Sequence, residues 1–335
     1  MMEFKQIASA GELPLEWNER TENYFQQSPF LSHTEKYNPC QQRYYGCFKN
    51  NKLLSGAIVY SLHMDLLTFL RIKSPIKMHI VGIPCSVSSS GIFGDGQAVE
   101  ALKKYLLKHE KGFVLLLNLT ERPDNTSCAS GKTLPTIILK NTFSNWNEYT
   151  SALRSNYRRR LHQINSKNKN LRFEKMGCSN FTDEMYRLYL GVYQRSKDKL
   201  EKLTFDFFKQ LPDEFQLTIC FKNDSIIGWN ITLHDADNYY FFLGGINYQQ
   251  NKTNQTYFGL LCNLIKDGIE KKAKTIDLGQ TAEIAKMRMG GQPRLLYMEA
   301  HHHLRLVNGV IKQFSSLLEY KRKLENTKAM KENRT

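Results

Sequence analysis

The chain has 335 residues, 41% hydrophobic and 12% aromatic, too long for one compact core and too apolar for disorder, so two globular domains are expected. Its 47 Lys and Arg against 32 Asp and Glu give a formal charge of +15, which favours a polyanionic partner: nucleic acid, a phosphorylated small molecule or an anionic membrane surface. With no run of about 18 apolar residues and a polar, acid-containing N-terminus, the expectation is a cytoplasmic protein without a transmembrane segment.

In chain order, the first readable element is a β-hairpin in CFKNNKLLSGAIVYSL, starting at Cys47 and turning at Asn50-Asn51, residue types that tolerate left-handed backbone. A strand over Met78 to Ile83, a Ser/Gly loop (SVSSSGIFGDG), a helix over Gln97 to Lys108 and a strand over Phe113 to Leu119 follow. Asp95 in that loop reads as a helix N-cap. Residues Asn147 to Ser166 predict one helix burying Tyr149, Leu153, Tyr157 and Leu161. Residues 151 to 202 hold 13 Lys or Arg and 5 acids, more than half of the excess charge.

A second hairpin, CFKNDSIIGWNITLHD, starts at Cys220 and turns at Asn223-Asp224. It shares Cys-Phe-Lys-Asn with the first, and then an apolar pair leading to glycine. A strand at Tyr239 to Leu243, a polar loop (NYQQNKTNQ), a helix from Thr256 to Glu270 and a strand at Thr275 to Leu278 repeat the order seen in the first half. An internal duplication is the reading that accounts for both.

The seven cysteines are an odd number with no CxxC pair, which fits reduced thiols better than disulfides or a clustered zinc site. His301 and His303 share a strand face without a third ligand nearby in sequence, so no metal is expected. From Lys321 onward the chain is charged and expected to fray.

Three segments, LRSNYRRRLHQINSKNKNLRFE from Leu153, the strand, loop and helix at Tyr239 to Glu270, and DLGQTAEIAKMRMGG from Asp277, resemble the acetyltransferase-6 type of GNAT-superfamily acyltransferase, related to the Fem peptidoglycan aminoacyltransferases. In the third segment Lys286 stands nine residues after Asp277 and Gly290 four beyond the lysine, the spacing of that family. The likeness covers roughly residues 145 to 300. It implies an α/β (α+β) protein of two tandem GNAT-like domains, each a mixed sheet flanked by helices, over 1–145 and 146–325 with a polar tail at 326–335. It also implies that the first domain supplies one wall of an acceptor groove.

Acyl transfer to an amine needs a held donor, a polarised carbonyl and a route for the amine's proton. The free N–H groups at the start of the Thr256 helix, with Lys252, are expected to hold donor phosphates through Asn247, Lys252, Thr253, Asn254, Gln255 and Thr256. The plainer alternative is a solvated loop capped by Thr253 or Asn254. Arg158, Arg159 and Arg160 point in different directions around a helix, so at most one or two reach a single ligand, and Arg158 is the candidate. Lys286 is the expected catalytic residue, stabilising an oxyanion or a donor phosphate, against the alternative of an exposed surface lysine. Asp277 would accept a proton through water and Gln280 orient the acceptor, against roles as a strand-end cap and a turn residue. The expected donor is an acyl-CoA, with aminoacyl-tRNA the alternative, and the acceptor an amine. A non-catalytic protein binding nucleic acid or an anionic surface is the rival from another class.

Overall fold

The computed structural model describes residues 1–65, 75–85, 87–123, 128–196, 201–313, 319–322, 324 and 327–331. The chain divides into two compact units: Met1–Leu134, Leu200–Phe207 and Leu295–Lys321 form the first, and Pro135–Lys199, Phe208–Arg294 and Arg322–Thr335 the second. The units are therefore not the contiguous spans 1–145 and 146–325 expected from sequence.

In order, the first half gives β1 (Glu3–Ile7), α1 (Glu16–Arg20), α2 (Ser28–Tyr37), β2 (Arg43–Lys49), β3 (Lys52–Asp65), β4 (Pro75–Val81), β5 (Ile92–Gly94), α3 (Gly96–His109), β6 (Phe113–Leu119), β7 (Ala129–Lys132) and β8 (Thr136–Lys140). Next come α4 (Trp146–Ala152), α5 (Ser155–Lys167), β9 (Leu171–Gly177), α6 (Asp183–Arg195), α7 (Phe205–Lys209), β10 (Phe215–Lys222), β11 (Ser225–Asp235) and β12 (Asn238–Ile246). The chain continues through α8 (Tyr248–Asn254), α9 (Thr256–Glu270), β13 (Thr275–Asp277), α10 (Glu283–Met287), β14 (Gln292–Arg294), β15 (Tyr297–His302) and α11 (Arg305–Gln313).

The first sheet runs β1-β2-β3-β4-β6-β15-β7, with β5 also on β3; the second, read from its far edge, runs β9-β10-β11-β12-β13-β8-β14. The orders correspond strand for strand. Each sheet has one parallel pair, β4 with β6 and β12 with β13, and in each the strand beyond that pair comes from the opposite half of the chain: β15 joins the first sheet and β8 the second. Glu299 carries β15 into the first unit as a buried carboxylate ion-paired with Lys103 of α3. Burial pushes its carboxyl above the ordinary range while Lys103 pulls it down.

The duplication extends to backbone irregularities. Both hairpins close on two residues, with Asn50 and Asn51 left-handed in one and Asn223 in the other. Both carry a β-bulge at the same place, between Cys47 and Phe48 and between Cys220 and Phe221. The bulge sets Cys47 opposite Ser55 and Cys220 opposite Gly228, so the glycine of the second hairpin matches a serine in the first, one residue before Gly56.

Two expectations fail in the second unit. The helix predicted over Asn147 to Ser166 is broken, because Leu153 and Arg154 are extended (ψ 144° and 154°). Arg158 Nη1 donates to the carbonyls of Ser151 (3.2 Å) and Leu153 (2.8 Å), so its guanidinium serves the break between α4 and α5 rather than an open ligand site. The tail expected to fray also returns here. Leu153 bridges to Met330, and the amides of Arg154 and Lys331 donate to Ala329 and Ala152 at 2.9 Å. The core beneath collects Tyr149, Leu153, Leu161, Leu264, Ile265, Ile276 and Leu278. Tyr149, Leu153 and Leu161 are buried as expected, and Tyr157 is half-buried. All seven cysteines are buried free thiols, and burial holds those of Cys178 and Cys220 up near about 12.

In the first unit the parallel pair β4/β6 ends at Val81 opposite Leu116. Past that point the chain makes an excursion from Gly82 to Gly91 and returns as β5, which resumes pairing with β3. Ile58 holds both ends: its amide donates to the Gly91 carbonyl at 2.8 Å and its carbonyl accepts from Gly82 at 3.1 Å. Asn118 Nδ2, one strand over, donates to the Val87 carbonyl at 2.9 Å. Backbone at Gly82, Val87 and Gly91 is thus tied to β3 and β6 past the parallel pair. A Cβ on Gly91 would stand 2.2 Å from the Gly82 nitrogen, which only backbone movement relieves. Gly91→Ala is expected to cost about 2–3 kcal/mol, whereas Gly96→Ala, with open space around its Cβ, stays within about 0.5 kcal/mol. Urea denaturation of the two variants checks this, and equal midpoints would contradict it.

Candidate functional site at the fork of the second sheet

In the second unit the corresponding parallel pair is shorter. β12 runs nine residues, but only Asn238, Tyr239 and Tyr240 pair with β13, through Thr275, Ile276 and Asp277. Beyond Tyr240 and Asp277 the strands part, and Phe241 to Ile246 have no ladder partner on that side. A β-bulge at Phe242 of β12, opposite the step from Ile231 to Thr232 on β11, turns β12 at the place where it leaves β13. Such a fork between parallel strands, at their C-terminal ends, is where open α/β sheets accept ligands.

The chain leaving β13 is strained. Gly279 (φ 76°), Thr281 (φ 61°) and Ala282 (φ 49°) all take left-handed backbone within four residues, and only glycine does so cheaply. Specific bonds hold the loop. Asp277 Oδ1, almost fully buried, accepts from the Gly279 amide (2.8 Å) and from the Thr136 hydroxyl of β8 (2.6 Å), and the Ile137 amide donates to the Gly279 carbonyl at 3.2 Å. Lys286, on α10, donates from Nζ to the Gln280 carbonyl at 2.6 Å.

Lys286 is 1% exposed, which excludes the surface-lysine alternative. Its ammonium stands 5.4 Å from the centre of the Phe241 ring and 3.7 Å from where a Gly279 Cβ would lie. Both neighbours lie just past the last parallel pair, so the amine sits where the strands part. Burial lowers its pKa from the ordinary lysine range to about 7, against the opposing pull of Asp277 and Glu283. Each acid has an arginine on its outer side, both half-exposed: Arg294 Nη2 is 3.8 Å from Asp277, and Arg322 Nη1 donates to Glu283 at 3.0 Å.

The segment expected to hold donor phosphates is built differently. NYQQNKTNQ is not an open loop: residues 248–254 form α8, capped by Asn247, whose Oδ1 accepts from the amides of Gln249 and Gln250. Gln255, left-handed at φ 52°, joins α8 to α9. At the start of α9 the Tyr257 amide, next to the residues expected to hold phosphate, donates to Asn251 Oδ1 (2.9 Å), so one N–H of that helix start already has a side-chain acceptor. Lys252 and Thr253 are exposed, and Asn254 is buried with its amide on Gln250. Thr256 is fully buried, its hydroxyl without a hydrogen-bond partner. Asp95 stands at the N-cap position of α3 but makes no side-chain cap; it pairs with Arg20 at 3.4 Å. The strand with the histidines ends at His302, and His303 Nδ1 accepts from the Gly112 amide.

No family model and no curated protein sequence matches the chain. Solved structures do. It is similar to FemX, with a TM-score of 0.51 at 9% identity over 84% of this chain and 92% of that one. It is similar to L-PGS from Bacillus licheniformis, with a TM-score of 0.51 at 10% identity over 85% and 94%. A tandem GNAT protein from the clavulanic acid biosynthesis pathway aligns with a TM-score of 0.50 at 8% identity over 90% and 98%. The chain has a tandem GNAT fold.

Within the second GNAT-like unit, the structure brings Lys286, Asp277 and the Gln280 carbonyl together. Arg158 and Asn247 are engaged elsewhere. Sequence reading missed Thr136, Phe241, Glu283, Arg294 and Arg322. Only Glu283 left a signal, since it precedes Lys286 by three residues in a helical stretch and so shares its face. The others reach the cluster from distant parts of the chain.

A lysine whose folded pKa lies below its unfolded value destabilises the fold while both states are protonated. That cost is full below about pH 7 and fades as pH rises towards the unfolded value near 10.4. Lys286→Met, apolar and of similar length, should therefore gain stability relative to the wild type as pH falls from 10 to 6. Chemical denaturation across that range tests it. A stability difference independent of pH would contradict the buried-amine reading.

Proposed function

We propose that the chain is an acyl- or aminoacyl-transferase that places the acyl carbonyl of its donor at the fork between β12 and β13 and transfers the acyl group to an amine. The observation that carries this reading is the dry amine of Lys286 at the apex of the fork, supported by the fold shared with FemX and the tandem GNAT protein. The unpaired edge of β12 from Phe241 to Ile246 offers backbone donors and acceptors to an extended donor chain.

In this reading the acceptor's nitrogen lone pair attacks the acyl carbon and forms the C–N bond. The carbonyl electrons move onto oxygen, and the Lys286 ammonium stabilises the resulting oxyanion in a site of low dielectric. Collapse breaks the bond to the carrier's sulfur or oxygen, and the amine's proton passes to the leaving group through solvent. The bonds from Asp277 to Gly279 and Thr136 support a positioning role: it holds the left-handed loop whose Gln280 carbonyl steers Lys286. Arg294 and Arg322, half-exposed beside the buried acids, are cationic groups suited to meet phosphates of the donor.

The donor is proposed to be a phosphate-bearing carrier, an acyl-CoA or an aminoacyl-tRNA. The side-chain acceptor already on the Tyr257 amide at the start of α9, together with the charge of +15, favours aminoacyl-tRNA. Titration with CoA and with charged tRNA at two salt concentrations separates them, since many-phosphate binding weakens steeply with salt. Salt-resistant CoA binding alone would return the reading to an acyl-CoA donor. Binding of RNA with no turnover of any acyl donor would favour a non-catalytic protein.

Lys286→Ala should lower kcat by about 10²–10³-fold, the cost of removing one oxyanion donor, with little change in the circular dichroism spectrum. Because the ammonium form is lost as pH rises through about 7, kcat of the wild type should fall on the alkaline side of that value. Full turnover of the alanine variant, or a kcat that rises monotonically to pH 9, would remove Lys286 from the chemistry.

A further inference from the structure

Asn230, in the middle of β11, is 2% exposed, and among the described residues neither the oxygen nor the nitrogen of its side-chain amide has a hydrogen-bond partner. A buried asparagine brings two N–H donors and an oxygen acceptor, and leaving all of them unmade is unfavourable in a core. The strand register gives the direction of this side chain. Alternation puts Gly228, Asn230 and Thr232 on one face of β11. A Cβ on Gly228 would meet Thr256 and Leu260 of α9 at 3.1 and 3.2 Å. The Thr232 hydroxyl is bonded to that of Tyr239, which also reaches Asp267 of α9. Asn230 therefore leaves the sheet on the α9 side.

Directly opposite Asn230 on β12 is Gly244, which brings no side chain of its own and belongs to the edge that β13 leaves unpaired. The Phe241 ring flanks this position, 3.3 Å from where a Gly244 Cβ would lie, and the same ring is 5.4 Å from the Lys286 ammonium. One ring thus borders both the gap at Gly244 and the amine of the fork. A second unpartnered group lies along the same edge. Thr256, whose buried hydroxyl also lacks a partner, covers Gly228, and Gly228 is opposite Ile246 at the end of β12. Unmade polar groups therefore accompany β12 from Ile246 to Gly244, the stretch along which the donor chain is proposed to run.

We propose that Asn230 is a specificity-determining residue of the fork: its amide, reaching over Gly244, receives a part of the donor that carries both a hydrogen-bond donor and an acceptor. The assignment rests on the transferase reading above. A hydrocarbon segment in that place would leave the amide unpaired, so the site favours a polar segment over an apolar one. The test is calorimetric titration of the full chain with CoA, with aminoacylated tRNA and with uncharged tRNA, using the wild type, Asn230→Leu, Asn230→Ala and Lys286→Ala. Whichever probe the wild type binds, both Asn230 variants are expected to bind it about 10–100-fold more weakly, while Lys286→Ala retains binding. A loss seen with CoA or with uncharged tRNA puts the matched group on the carrier; a loss confined to charged tRNA puts it on the acyl group. The melting temperature of Asn230→Leu should equal or exceed that of the wild type, because leucine removes the unpaired amide, and a purely structural asparagine would not give a protein that is as stable and binds worse. Unchanged binding by both Asn230 variants would overturn the proposal and leave the role of Lys286 standing, as would a loss of binding that only follows a lowered melting temperature in both. A wild type that binds none of the three probes would overturn this proposal and the transferase reading together.

Discussion

The second sheet is organised by a parallel pair that stops after three residues. Where β12 and β13 separate, backbone groups lose ladder partners and the space between the strands is left to side chains. Lys286 occupies the apex. An ammonium held almost fully out of water loses its hydration, and here burial outweighs the attraction of two nearby carboxylates. The neighbourhood is arranged around that cost: a carbonyl brought to 2.6 Å, an aromatic face beside the amine, and a left-handed loop that supplies the carbonyl only because Asp277 and Thr136 hold it. The local strain and the buried charge therefore support one structure, and neither has an evident purpose without the other.

The first unit shows what the same topology does without that purpose. Its strand order, its parallel pair and even its hairpin bulge repeat those of the second. At the corresponding fork, however, the chain from Gly82 to Gly91 folds back onto Ile58, and Asn118 ties the excursion down. The two similar sheets thus differ at the fork: in the first the backbone at Gly82 and Gly91 is tied to Ile58, and in the second Lys286 stands where the strands part. The close backbone approach of Gly82 and Gly91 belongs to the first copy.

Much of the fold was legible because it rests on local patterns. The asparagine turns, the apolar face of α9 and the recurring order of elements placed both hairpins, both long helices and the parallel strands. The exchange of β8 and β15 between sheets was not legible, since a five- or six-residue strand carries no sign of which sheet it joins. The break at Leu153 escaped for a related reason: its side chain keeps the helical four-residue spacing, while its backbone is held extended by Met330 from the far end of the chain. At the site, the Asp277 to Gly290 spacing singled out the segment that follows β13, and Lys286 within it is buried. Thr136, Arg294 and Arg322 were invisible because their relation to Lys286 exists only once the sheet is assembled. The α8 segment was misjudged because asparagine and glutamine, read as loop formers, here cap and close a short helix.

The central claim is that Lys286 is a dry amine at the apex of the fork, poised between its two protonation states near neutral pH. Its titration can be followed directly by NMR in protein labelled at lysine side chains, with Lys286→Met used to assign the signal. A single lysine resonance titrating near pH 7 and missing from the variant is the predicted result. A Lys286 signal that stays protonated up to pH 10, as for a hydrated surface lysine, would contradict the account.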